Sequence, residues 1–219
     1  MFLKTGELKK MMKAALKSGG LYVGNMNGSY LVHAETWGLS TDIMYASNKF
    51  KAALMELIGD IPESGEYYRY YHQNGEVAQD TETDYPNAYE MWKDAKDYAT
   101  YVPINYCSWP HTYIVLQIHG DLNYKVADKF LTADVISSKE LDTTMESMPG
   151  RPNYNSGILY WKNDTTIYWV HTTEPGEKAR EVLFPSMEKL DFFQADWQKR
   201  EDDEPDQTEE ADFEEELPY

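Results

Sequence analysis

The 219-residue chain has a single cysteine, Cys107. A lone thiol closes no internal disulfide and builds no thiolate metal cage, so a disulfide scaffold and a zinc finger are both excluded, and the usage fits a reducing cytoplasm. Long apolar runs are missing too. The strongest, around Tyr113-Ile114-Val115-Leu116, falls far short of the ~20 residues of a spanning helix, so no membrane partner is expected. Met1-Phe2-Leu3-Lys4 offers neither an apolar targeting core nor a small-residue cleavage site, which predicts a mature chain starting at Met1 in the cytoplasm. Catalytic signatures are equally scarce. His33, His72, His111, His119 and His171 are scattered, and no Gly-rich phosphate loop, nucleophile elbow or deaminase signature occurs. We therefore expect no catalytic residue, no cofactor and no metal. Cys107, beside Ser108-Trp109-Pro110-His111, is expected to be a buried, inert thiol.

Basic residues are the last shortage, with 20 Lys+Arg against 38 Asp+Glu and a net charge of −18. The imbalance is local. Residues 201–219 hold eleven acids and no base, so the other 200 residues carry 27 acids and 20 bases, or −7. Residues 1–58 have seven Lys and four acids, a local +3. A like-charged block with so few apolar residues cannot offset its ordering entropy, which predicts a disordered tail over 200–219.

Within the body, Leu8, Met11, Met12, Ala15 and Leu16 fall at i, i+3, i+4, i+7 and i+8. This spacing predicts an amphipathic helix over 6–17 capped by Thr5, with Lys9, Lys10, Lys13 and Lys17 on the opposite face. Residues 21–23 and 30–33 flank a turn at 24–28 and predict a hairpin; 43–45 predicts a further strand. Ser47 is placed to cap a second helix built on Phe50, Ala53, Leu54, Leu57 and Ile58 and closed by Gly59 and Pro62. Residues 67–72 are β-prone before a Gln73-Asn74-Gly75 turn. Tyr89, Trp92, Ala95 and Tyr98 after Pro86-Asn87 suggest a weaker third helix. Residues 113–118 form the most strand-like run, ahead of a Gly120-Asp121 turn. Ser137 and Glu140 have capping-box spacing before a short helix with Leu141, Met145 and Met148. Residues 159–161 and 167–170 predict a second hairpin around Asn163-Asp164, and 182–184 a strand before Pro185.

Shifted by 138, residues 18–33 and 156–171 agree at eight of sixteen positions, from Ser18/Ser156 to His33/His171. Each hairpin follows a capped helix. The expected fold is α+β: antiparallel sheets with helices in two βαβββ-like units. The body spans 1–199, with sub-units at 1–100 and 101–199 as a further division. His33 and His171, at matching positions, are assigned structural roles, and a pair converging on a metal with Glu35 is the alternative.

The tail ends Asp212-Phe213-Glu214-Glu215-Glu216-Leu217-Pro218-Tyr219. This resembles the C-terminal tip of bacterial and phage single-stranded-DNA-binding proteins: an acidic run, then Ile or Leu, Pro and a terminal Phe. The resemblance implies a docking peptide whose acids meet a basic rim on a partner, whose aromatic fills an apolar pocket and whose carboxylate pairs with Arg or Lys. Here Glu replaces Asp and Tyr219 replaces Phe. A solubilising tail is the other reading. The body, with its basic helix, hairpin, strand and the segment Tyr45-Ala46-Ser47-Asn48-Lys49-Phe50, resembles the opening of a DNA sliding-clamp domain, a family that also repeats βαβββ units. That resemblance implies DNA-facing helices, with phosphate-facing charge from Lys9, Lys10, Lys13, Lys17, Lys49 and Lys51; the alternative is a solvated helix face.

The stretch Tyr67-Tyr68-Arg69-Tyr70-Tyr71-His72 mixes π faces with positive charge, as do Tyr160, Trp161 and Lys162. Arg69 and Tyr70 are therefore added as single-strand contacts, since each stacked base can contribute ~1–3 kcal/mol. The sequence thus predicts a non-enzymatic, phage-type DNA replication or repair accessory protein. Its body binds DNA, single-stranded by preference, and its tip recruits replication or repair proteins. A sliding-clamp-like processivity factor, which would be a homo-oligomer, is the alternative, and an acidic protein-binding module or DNA mimic is the third reading.

Overall fold

The computed structural model describes residues 1–120, 123–142 and 144–193. The acidic tail and its tip, Asp212 to Tyr219, lie outside the described residues. The fold is α+β, with one large antiparallel sheet and helices on its faces.

Helix α1 (Thr5–Ser18) buries Leu8, Met11, Met12, Ala15 and Leu16, the stripe its spacing predicts. Strands β1 (Leu21–Met26) and β2 (Ser29–His33) follow, joined by Asn27-Gly28. Both turn residues have positive φ, 53° and 78°, which a two-residue type I′ hairpin demands and Asn-Gly supplies at low cost. Next come β3 (Trp37–Asp42), α2 (Asn48–Ile58), β4 (Tyr67–Gln73) and β5 (Glu76–Thr81). The Ser47 side chain caps α2, accepting from the Phe50 N–H at 3.1 Å. The second half contains α3 (Ala88–Asp94), β6 (Asp97–Ser108), β7 (His111–Ile118), β8 (Tyr124–Asp128), a 3-10 turn at Ser138–Glu140, β9 (Asn153–Asn155), β10 (Ile158–Lys162) and β11 (Thr166–His171). A π-helical turn, Ala179–Leu183, runs into α4 (Phe184–Met187).

The strand order is β5-β4-β1-β2-β3-β11-β10-β9-β6-β7-β8. The first unit, β1-β2-β3, meets the second in reversed order through antiparallel pairing of β3 with β11. Residues 100 and 101 both lie inside β6. Strand alternation sorts the side chains between two faces. Tyr30, Val32, Leu39, Leu159, Trp161, Tyr168 and Val170 enter the main core with α1 and α2. Leu31, Tyr160, Ile167 and Trp169 point the other way, against Ala88, Met91 and Trp92 of α3.

Four local expectations are corrected. Residues 43–45 form no strand; the strand is β3, just upstream, where Gly38 and three polar residues conceal a buried run. The helix after Ser137 shortens to one 3-10 turn, because the Glu140 carboxylate leaves the capping box for another helix and Asp142 Oδ1 instead accepts from Thr144 N and Oγ1. Residues 182–184 are helical, so that Leu183, Phe184 and Met187 pack on Val102, Val115 and Val126. Cys107 is exposed, not buried. The two hairpins recur, but neither the element order nor the register repeats: the first follows α1 and precedes β3, whereas the second follows β9 and precedes a π-helical turn. The first hairpin turns on two residues and pairs Tyr22 with His33, whereas the second turns on 163–166 and pairs His171 with Ile158.

Candidate nucleic-acid interface

Helices α1 and α2 lie against one another and together carry six lysines and two glutamates, Glu7 and Glu56. This +4 layer stands out in a chain of net charge −18. Lys9 pairs across the layer with Glu56. Lys10 pairs with Glu7 at 2.9 Å, and Lys49 with Glu140 at 2.5 Å. These are surface pairs of about 0–1 kcal/mol, which a phosphate can displace at little cost. Lys13 and Lys17 are exposed and form no ion pair among the described residues. Lys51 is half-buried; it donates to the Ile43 carbonyl at 3.3 Å and sits 5.8 Å from the centroid of the Tyr30 ring.

The Thr5 expected to cap α1 is itself capped. Its N–H and its hydroxyl donate to Glu140 Oε2 at 3.1 and 2.5 Å. Burial works against the charged form of Glu140, yet the Lys49 and Thr5 bonds prevail and hold its carboxyl below the usual range.

The structure separates the single-strand contacts from this layer. Tyr70 is a core residue at 3% exposure, and burial pushes its phenol up to about 12. Tyr67, Tyr160 and Trp161 are buried as well. Arg69 is half-buried, donates from Nη2 to the Gly19 carbonyl at 2.7 Å and covers the Tyr22 and Tyr71 rings at 5.9 and 5.6 Å. Its guanidinium is thereby committed to the link between α1 and β1. The β-prone pattern of residues 67–72 was a core signal, because alternate members of a strand must face inward.

A second cluster was not singled out in the sequence. On the face opposite α1 and α2, the paired positions Arg69, Tyr22, His33, Gly38 and Trp169 form a row across five strands. Tyr22 and His33 stack at 4.7 Å with 4° between planes, and His33 Nε2 lies 2.6 Å from the Tyr67 hydroxyl. Burial lowers the His33 pKa to about 4, against a weak backbone bond to Ala34. Trp169 reaches over Gly38, where a Cβ would stand 2.1 Å from its Cζ2. The row borders a cleft of about 1110 Å³ that reaches round the end of the sheet to Ala14 and Ser18 of α1. One signal for it was available: a two-residue Asn27-Gly28 turn fixes the register that sets Tyr22 opposite His33. His171 is exposed at the end of β11, away from His33's position in the row.

No protein-family model matches this sequence, and no curated protein matches it. Among solved structures, the chain is similar to one described as a "Putative DNA polymerase III beta subunit" from Eubacterium rectale ATCC 33656, with a TM-score of 0.35 and 9% identity, covering 83% of this chain and 67% of that one.

Proposed function

We propose that the protein is a non-enzymatic DNA-contacting accessory factor whose α1/α2 layer engages the phosphate backbone. The observation that supports this reading is the +4 charge of the paired helices within an acidic chain. Lys10, Lys13 and Lys17 recur at i, i+3 and i+7, so they line one ridge of α1 where successive phosphates can be met. Tyr67 and Tyr70 are buried in β4 and so offer no free ring faces on which bases could stack. This favours sequence-independent backbone contact, the clamp-like alternative, over a single-strand stacker. The tip Asp212 to Tyr219 would then recruit replication or repair proteins, a role its Leu-Pro-Tyr ending supports.

The test is fluorescence anisotropy of a labelled duplex and of oligo-dT from low to moderate salt. Neutralising two to four phosphates should give a log–log salt slope of roughly −2 to −4 on duplex. Lys13→Glu with Lys17→Glu should weaken binding at least tenfold at low salt without altering the melting temperature by more than a few degrees. Equal binding by the double variant would refute the helix-layer interface. Binding should also strengthen on deletion of residues 200–219, whose eleven acids compete with DNA for the same lysines.

A further inference from the structure

We propose that the cleft beside the Tyr22–His33–Trp169 row is a docking site for an extended cationic peptide segment of a partner protein. At about 1110 Å³ the cleft exceeds the ~300–1,000 Å³ typical of small-molecule sites. Among the rings that line it are Tyr22, His33, Tyr67, Tyr85 and Trp169, the last bedded over Gly38. Four carboxylates also line it. Asp128 is engaged by His111 at 3.1 Å and by the Phe130 N–H at 2.8 Å, whereas Glu35, Glu82 and Asp84 form no ion pair among the described residues.

The cations facing the cleft do not balance them. Arg69 is tied to the Gly19 carbonyl and covers Tyr22. His33 is neutral at physiological pH, and burial lowers the pKa of His171 although Glu35 acts in the opposite direction. The lining therefore carries a net charge of about −3 at pH 7, from four carboxylates and one guanidinium. Such a surface repels phosphate and attracts Lys or Arg, and the half-buried rings of Tyr22 and Tyr85 add cation–π contact, Tyr67 and Trp169 being buried. DNA on the helix layer and a basic peptide in this cleft are thus served by opposite charges, and the second does not depend on the first.

Glu82 and Asp84 lie at the β4 end of the row, where the Glu82 N–H donates to the Tyr67 carbonyl, and Glu35 lies in the β2–β3 turn, whose Thr36 carbonyl accepts from the His171 N–H at the end of β11. Four strand spacings separate β4 from β11, roughly 19 Å. An extended chain covers that distance in about six residues. The length of the row selects an extended peptide of about six residues that carries at least two cations, with apolar or aromatic residues between them.

The probe is fluorescein-labelled Arg-Ala-Leu-Tyr-Ala-Arg-amide, titrated with the full chain and followed by anisotropy. Saturable binding is expected, at least tenfold weaker for the Glu35→Gln, Glu82→Gln, Asp84→Asn triple variant. Those three residues are exposed or half-buried, so the fold should be kept, with an unchanged melting temperature as the check. A peptide with Glu at both ends should not bind, and one shortened to Arg-Tyr-Arg should lose most of the affinity. Equal binding of the cationic peptide by parent and triple variant would overturn the proposal, as would competition by oligo-dT that the triple variant abolishes.

Discussion

A methyl group at position 38 would stand 2.1 Å from Trp169 Cζ2 and 2.6 Å from His33 Cβ, both in a packed layer. Gly38→Ala must therefore push the indole off β3. We expect a loss of about 2 kcal/mol or more in urea melts, together with a changed Trp169 environment. His33 gives a second residue-scale prediction. Its pKa is lowered to about 4 in the fold, against about 6.5 for a solvated imidazole, so the unfolded chain binds the extra proton first. Stability is then full above pH 6.5 and falls as pH drops from 6.5 towards 4, by at most about 3 kcal/mol. A His33→Asn variant should flatten this part of the stability profile. A His33 imidazole resonance titrating near 6.5 by NMR in the folded protein would contradict the assignment.

At the scale of elements, Glu140 serves two helices it does not belong to. It accepts from Thr5 at the start of α1 and pairs with Lys49 in the first turn of α2. Glu140→Ala should cost about 1–2 kcal/mol, as loss of a charged helix cap does, and Lys49→Ala well under 1 kcal/mol; thermal melts of both variants test the difference. Local chemistry made much of the fold legible in the sequence. The stripe from Leu8 to Leu16, Ser47 ahead of α2 and the Asn-Gly turns each act within a few residues, and each is found where expected. The failures come from partners distant in sequence. Glu140 lies 135 residues from Thr5, so the capping box at Ser137 had a competitor that no short window reveals. Likewise Leu183 and Phe184 are helical because Val115 and Val126 lie beneath them. Of the candidate site, the lysine ridge was legible by periodicity. The aromatic cleft was not, because its walls come from elements more than 100 residues apart.

Across the whole molecule, the two units are fastened at more than one place. Beyond the β3–β11 ladder, Leu3 bridges Ile136, and the Met1 amino group pairs with Glu146, both side chains buried. Glu146 also accepts from the Thr165 hydroxyl at 2.6 Å. Burial opposes its charge, but the bonds to the Met1 amino group, Thr165 and Asp142 win and keep the carboxyl below its usual range. Glu146→Ala would strand a buried ammonium group, with an expected cost of about 3–5 kcal/mol by urea denaturation at pH 7. A depressed carboxylate stabilises above its unfolded pKa and stops doing so as pH falls through the folded value. The contribution of Glu146 should therefore be intact above pH 4.5 and disappear below it, after the His33 effect has run most of its course.

The fastening of the first helix has a consequence for synthesis. Among the described residues, 134–146 supply the bonds that finish the start of α1: the Asp134 carbonyl on Lys4, the Val135 carbonyl on the Lys4 N–H, the Glu140 cap and the Glu146 ion pair. At about 5–20 residues per second, a ribosome needs roughly 7–28 s to travel from the start of α1 to residue 146. Throughout that interval the nascent chain carries an amphipathic helix whose apolar stripe has no completed sheet beneath it. It is during this wait, before residue 146 is translated, that the chain most needs a chaperone.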